Sequence, residues 1–362
     1  MKSTSTANFS DEDEDSKDEQ NKIPIKHRII KAHTSDFKNV DLSIKKKGKL
    51  FSDLKMRKPL KITIFNSPND QAEQDLSQLL SQYSFQDSKS SGWCYGVCIN
   101  KGSYRKANQD RYAIITPITG DEYGIMAGVF DGFISDNCSQ ILSETVIHEL
   151  NQSIATPSNL KEKTFVQLKN TFEAVTKKME KENKIGGSTS IISIIMKKQL
   201  IVANIGDSFC CIIKKDKAVL LNNLHNTKNV NENETIMNKG GYIFKAGGIP
   251  RVQGELSVTR AVGNFKLNSL ISHEPEIEQI NLDEDDEFLI LGSDGIINIL
   301  SVSDLFFLFK AHNNESEIFL AELLVKAALE KGSTDNLTTI VIDLRKILTK
   351  SVTEPKINIV FD

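Results

Sequence analysis

The sequence predicts an α+β fold in which helices pack outside antiparallel sheets. Two observations carry this. Between residues 187 and 221 the apolar runs SIISIIM, QLIVANIG and AVLLNN follow one another at hairpin spacing, which favours antiparallel pairing over a doubly wound parallel sheet. Three longer stretches carry apolar residues three and four positions apart, the spacing of an amphipathic helix.

Up to about residue 90 the chain is polar, rich in Ser, Asn, Asp, Gln and Lys, with one strand-like island, LKITIF (60–65). At GWCYGVCIN an alternating apolar pattern begins, and a domain boundary is expected near Ser91. The first helix is expected over 138–154, where Ile141, Leu142, Thr145, Val146, Glu149 and Leu150 form a mostly apolar stripe. The second is expected over 159–183, with Leu160, Phe165, Leu168, Phe172, Val175 and Met179 on one face. The third, 314–332, ends in Gly332, as helices often do. EFLILGS and LTTIVIDL supply the last strands.

The formal net charge is −3 from 45 basic and 48 acidic residues, so nothing global points to nucleic acid or to an anionic membrane. The charge is nonetheless unevenly placed. Residues 1–21 hold seven acids against Lys2 and Lys17, a local net of −5, and residues 22–61 hold thirteen Lys or Arg against Asp36, Asp41 and Asp53, a net of +10. Such runs read as a solvated, extended or disordered arm; the alternative is a docking arm for a protein partner, centred on Lys45–Lys49. The Lys-rich segment lacks the interleaved aromatics of a single-strand nucleic-acid binder.

Five cysteines (Cys94, Cys98, Cys138, Cys210 and Cys211) are an odd count that argues for reduced thiols and an intracellular, cytoplasmic setting. Cys94 and Cys98 have no second ligand pair at zinc-finger spacing and read as packing residues. The N-terminus lacks the apolar core of a secretory signal, and no run of ~20 apolar residues suits a bilayer.

Four times an apolar run is bounded by an aspartate. IMAGVF meets Asp131-Gly132, QLIVANIG meets Asp207-Ser208, EFLILGS meets Asp294-Gly295, and Asp335 stands just before LTTIVIDL. Singly, each is a turn signal. Together they suggest a cation site, because converging carboxylates repel one another unless a cation neutralises them. Hard oxygen ligands with no His or Cys beside them select Mg²⁺ or Mn²⁺ over zinc.

The same motifs, in the same order, resemble those of the metal-dependent serine/threonine protein phosphatases of the type 2C family. They are RKANQDR (105–111), GVFDG (128–132), GGSTS (186–190), VANIGDS (202–208), GELSVTRAVGNF (254–265), HEPEI (273–277), FLILGSDG (288–295) and STDNLTTIVI (333–342). The resemblance implies a two-sheet antiparallel β-sandwich flanked by helices, a four-layer α-β-β-α arrangement over residues 92–345, with 1–91 as an arm and 346–362 as a tail. It implies that Asp131 bridges two Mg²⁺ or Mn²⁺ ions and that the Gly132 carbonyl binds one of them. Asp294 and Asp335 would serve the other ion, Gln109 and Asp110 would hold metal-bound waters, and Asp207 would serve a third, weaker ion. Arg105 matches the phosphate-binding arginine, and a water activated by the two cations would hydrolyse phosphoserine or phosphothreonine on a protein substrate. The chain would act as a monomer or as a subunit of a larger assembly. A cysteine phosphatase is disfavoured by spacing, since six residues rather than five separate Cys98 from Arg105.

Four positions depart from the family pattern. Phe133 stands where a proton-donating His is expected, Phe209 for Arg, and Asn264 and Asn298 for Asp. Losing a general acid typically costs ~10² to 10⁴ in rate. Two expectations therefore stand side by side: a working phosphatase, or a catalytically weak pseudophosphatase kept as an interaction or scaffold subunit. His148 and His273 read as packing or surface residues, and His225 carries no assigned role.

Overall fold

The computed structural model of the chain describes residues 83–87, 95–154, 159–246, 248–267 and 269–350. The charged stretches of 1–61, the 60–65 island, Cys94 and the last twelve residues lie outside them.

Two antiparallel sheets form the centre. One has six strands in the order β1 (Tyr83–Asp87), β2 (Tyr95–Asn100), β16 (Leu337–Asp343), β15 (Asp286–Gly292), β9 (Phe209–Lys214) and β10 (Ala218–Leu220). The other has five: β14 (Glu276–Asn281), β8 (Gln199–Ile205), β7 (Ser190–Met196), β4 (Ile125–Phe130) and β3 (Arg111–Ile115). A small three-stranded sheet, β13 (Val262–Gly263), β6 (Gly187–Ser188) and β5 (Gly132–Phe133), continues from the end of β4, and β11 (Ile243–Ala246) pairs with β12 (Ile249–Val252) as a separate hairpin.

Period-two alternation sorts each strand between two cores. Cys210 and Ile212 of β9, Leu289 and Leu291 of β15, and Ile340 and Ile342 of β16 face inward, against Ile125, Ala127 and Val129 of β4 and Ile191 and Ile195 of β7. Their neighbours Cys211, Ile213, Ile290 and Val341 face outward, under helices α5 (Val302–Ala311) and α6 (Glu317–Glu330). On the other flank Met126, Phe130, Ile192, Ile194 and Ile201 lie beneath α1 (Asn137–Ser153) and α2 (Leu160–Lys181). The result is the expected four-layer α+β sandwich. It also explains why SIISIIM is apolar without alternation: all seven residues of β7 are buried because both faces of its sheet are covered.

The three expected helices are present, and Gly332 closes α6 at φ +94° while Ser333 N–H donates to Ala328 O, 2.9 Å. Beyond them the structure adds α3 (Val230–Asn238), the single turn α4 (Asp294–Ile297), α5 and α7 (Leu344–Lys350). The signal for α5 was a reciprocal N-terminal cap: Ser301 and Asp304 satisfy each other's backbone N–H groups. The sheet begins ahead of the boundary expected near Ser91, since β1 pairs with β2 from Tyr83↔Asn100 to Asp87↔Gly96. Its sequence, YSFQD, alternates over only Tyr83 and Phe85 within a polar stretch, and an edge strand is recruited by backbone pairing on one side, so periodicity gives little signal. At the other end α7 carries the fold past residue 345 to Lys350. Among the described residues no helix is long and apolar enough to cross a membrane.

Candidate metal-binding active site

The strand ends named from the sequence meet at one edge of the sandwich. Asp110 directly precedes β3 and is fully buried; its Oδ2 accepts from Ser293 Oγ (2.8 Å), at the end of β15, and from Thr338 Oγ1 (2.7 Å), in β16. Ser293 N–H donates to Thr338 O (3.0 Å), so the three elements are laced together beneath the site. Asp131 ends β4, its N–H donating to Thr189 Oγ1 (3.2 Å) and its carbonyl accepting from Thr189 N–H (2.9 Å). Asp294 opens α4, and Asp335 precedes β16 and accepts from Arg105 Nη2 at 2.5 Å. Asp207, buried in the turn between β8 and β9, is approached by Asn226 Nδ2 at 3.5 Å.

Burial and the charges of neighbouring acids raise the proton affinity of Asp110, Asp131, Asp207 and Asp294. Desolvation is the largest cause for each; the next is the charge of a neighbouring aspartate for Asp131, Asp207 and Asp294. Asp294 is pushed up to about 6, Asp110 to about 7 and Asp207 to about 8. Asp131 is held well above the ordinary carboxylate range by desolvation and by the charges of Asp110, Asp294, Asp335 and Asp207. Desolvation likewise leads for Asp110, partly offset by the Thr338 and Ser293 hydroxyls and followed by the charges of Asp294 and Asp335. Asp294 is eased by a hydrogen bond with the Asp131 carboxyl and by the charges of Arg105 and Lys228.

Among the described residues no three acidic, His or Cys side chains stand in a ready coordination shell. The donor chemistry nevertheless fits a hard divalent cation. The donors are all oxygen, the Asp131 and Asp294 carboxyls lie within hydrogen-bonding reach of each other, and Asp110 Oδ1 is buried with no hydrogen-bond partner. A cation there would relieve the repulsion among the carboxylates, and a water it carries would satisfy that oxygen. Asp131, the Gly132 carbonyl, Asp294, Asp335 and Asp207 are the groups that would hold it.

Two glycines let these segments approach. A Cβ on Gly132 would stand 2.6 Å from Gln109 O and 2.7 Å from Ser139 Oγ. Gln109 is fixed through its backbone, donating to Asn336 Oδ1 (2.9 Å) and accepting from Ser139 Oγ (2.6 Å). A Cβ on Gly295 would lie 2.2 Å from Asn336 O, where the Asp294 and Asp335 segments touch. Gly295→Ala is expected to destabilise the fold by about 2 kcal/mol or more, read as a lowered urea midpoint.

The four departures do different things. Phe133 is a packing residue: it pairs with Gly187 in the small sheet, its ring covers that glycine, and it packs against Leu256, Val258, Ala261, Leu267 and Ile271. Phe209 is fully buried in the outer core, its ring against Gly292. Asn264 is buried in a left-handed turn at φ +42°, its N–H donating to Gly186 O, 2.8 Å. Only Asn298 touches the cluster: its Nδ2 donates to Asp294 Oδ2 (3.0 Å) and its Oδ1 accepts from Lys228 Nζ (3.2 Å). A carboxylate there could not donate to Asp294.

Sequence reasoning missed His225 and Lys228. His225 is buried, its Nδ1 accepts from Gly206 N–H (3.2 Å), and its Nε2 therefore carries the proton donated to Glu276 Oε2 (2.8 Å). Its N–H also donates to Gly206 O (2.9 Å), which pins the turn that presents Asp207. His273 Nδ1 meets Ala261 O at 2.6 Å, and His148 is exposed on α1. Burial pushes the thiols of Cys98, Cys138 and Cys210 well above their ordinary value and that of Cys211 up to about 12, so none is a ready nucleophile.

The protein phosphatase 2C family model matches residues 95–337. Probable protein phosphatase 2C 17 of Arabidopsis thaliana is 29% identical over 257 residues, 69% of this chain and 89% of its own length. Probable protein phosphatase 2C 76 of the same plant is 31% identical over 262 residues, 72% of this chain and 61% of its own. The solved structure of a C. elegans sex determining protein superposes with a TM-score of 0.66 at 26% identity, covering 78% of this chain and 73% of that one. With acids gathered at the expected strand ends and the family match spanning both central sheets, the chain belongs to the protein phosphatase 2C family, a family of serine/threonine protein phosphatases.

Proposed function

We propose that the chain hydrolyses phosphoserine and phosphothreonine on proteins with Mg²⁺ or Mn²⁺ held by Asp131, the Gly132 carbonyl, Asp294 and Asp335. Gln109 and Asp110 would steady the surrounding waters, and Asp207 would serve a weaker additional ion. The observation that carries this reading is the gathering of aspartates around Asp131, where the charges of Asp110, Asp294, Asp335 and Asp207 add to burial in raising its proton affinity, an arrangement costly to a fold unless a cation relieves it. When bound, the cations supply an activated water and positive charge for the phosphoryl oxygens.

The chain's own residues do the rest. Arg105 lies at the cluster, paired with Asp335, and its planar fork suits two phosphoryl oxygens. Thr189 and Ser208, hydroxyls 2.7 Å apart, hold the Asp131 backbone beside the Asp207 turn. Asn298 keeps Asp294 oriented by donating to it.

A second reading is favoured by one observation: Phe133 is committed to packing and has no proton to give the leaving alkoxide. A catalytically weak interaction subunit would look like this. Turnover of a phosphothreonine peptide and of p-nitrophenyl phosphate by the full chain with Mn²⁺, beside Asp294→Ala, separates the two. Metal-dependent turnover lost in the variant supports the enzyme; none on either substrate leaves the interaction subunit. Within the enzyme reading, Phe133→His is expected to raise the ratio of peptide to aryl-phosphate turnover about tenfold or more, since an alkoxide needs protonation more than a phenoxide does.

A further inference from the structure

Ile134 follows Gly132 and Phe133 out of the site and adopts φ +69°. The left-handed region is reached routinely by glycine and, at modest cost, by asparagine; for a β-branched residue it is a rare and strained conformation. Single exposed isoleucines are ordinary, but one kept at this backbone cost beside a catalytic cluster calls for a compensating use. Its side chain is 59% exposed, so packing within the chain does not provide that use.

The neighbouring segment presents a second isoleucine. Ser135 Oγ donates to Ile185 O at 2.7 Å, and a Cβ on Gly186 would lie 2.8 Å from Phe133 O, so the 133–135 and 185–186 backbones run against each other. Ile185 is 50% exposed. The charges flanking the pair are already matched within the chain, Asp136 to Arg111 at 2.6 Å and Lys184 to Glu182 at 2.7 Å. Between these ion pairs the two isoleucines present an aliphatic ledge. Three virtual bonds of ~3.8 Å put Ile134 Cα within about 11 Å of Asp131 Cα, the reach of one to three residues of an extended peptide.

We propose that Ile134 and Ile185 form a specificity ledge for phosphopeptides carrying an aliphatic residue beside the phosphorylated Ser or Thr, an assignment that rests on the phosphatase reading above. The strain at Ile134 keeps the aliphatic group at the rim of the site, and binding buries it.

The test compares fluorescein-labelled peptides bearing phosphothreonine, or its non-hydrolysable difluoromethylene phosphonate, flanked by Leu or by Asn. Affinity is read by anisotropy and turnover as kcat/KM, both with Mn²⁺. The Leu peptides are expected to be favoured about fivefold or more in both, as burial of an aliphatic side chain allows. Ile134→Gly, which suits the backbone, and Ile185→Asn should each bring the ratios below about two. Equal affinity for the two flanks in the unaltered chain, or a ratio undiminished in both variants, overturns the ledge. Absence of turnover on every phosphomonoester would instead count against the phosphatase reading, and the anisotropy ratio would still decide the ledge.

Discussion

Asp131→Asn is expected to remove metal-dependent turnover, by about 10³-fold or more, and at the same time to make the metal-free chain more stable. Both effects have one origin. Asp131 feels the charges of four other aspartates and holds its proton well above the usual carboxylate range. Asparagine resembles the protonated acid in shape and has no charge to repel its neighbours, so the metal-free fold should gain stability at alkaline pH, where the aspartate would have to ionise. It cannot supply a charged oxygen to a cation. Activity in Mn²⁺ and thermal melting without metal check the two halves on one preparation. An aspartate that mattered only for folding would lower both.

Without metal, stability is expected to fall as pH rises from about 4 to about 8, read as a falling melting temperature. Asp294, Asp110 and Asp207 keep their protons up to about 6, 7 and 8 in the folded chain. Unfolded aspartates lose theirs near pH ~3.9. The folded state therefore binds more protons in this window, and its contribution, complete below the unfolded value, is lost as pH rises through the folded ones. Acids with lowered values act below it: Asp304, held to about 2 by Lys331 and Ser301, stabilises above its unfolded value and loses that effect only in stronger acid. Mn²⁺ binds the deprotonated carboxylates, so it should raise the melting temperature more at pH 8 than at pH 6 and flatten the profile. Melting across pH with and without Mn²⁺ measures this.

Much of this was legible in the sequence because it is local. Hairpin spacing identified β7 and β8, and the recurrence of an aspartate at strand ends singled out Asp131, Asp207, Asp294 and Asp335 before any geometry was known. Other features depend on distant partners. Lys228 meets Asn298 seventy positions away and His225 meets Glu276 fifty-one away, and no local pattern marks either pair. Phe133 could be read as a missing proton donor, but its use as packing against Val258 and Leu267 needed the fold. Asn298 reads as a lost charge in the sequence and as a gained donor to Asp294 in the structure. The strand β1 escaped because the Tyr83–Phe85 alternation in YSFQD is too short to stand out from the polar stretch around it, and its place rests on backbone pairing with β2.

Calorimetric titration of the full chain with Mn²⁺ at pH 7, in two buffers of different ionisation enthalpy, tests the central claim that the strand-end aspartates form a divalent-cation centre. Saturable binding accompanied by proton release, both lost in Asp131→Asn, is the predicted result, because a cation binds the deprotonated carboxylates and these acids hold their protons unusually tightly. Absence of saturable binding, or binding that survives Asp131→Asn without proton release, would contradict it.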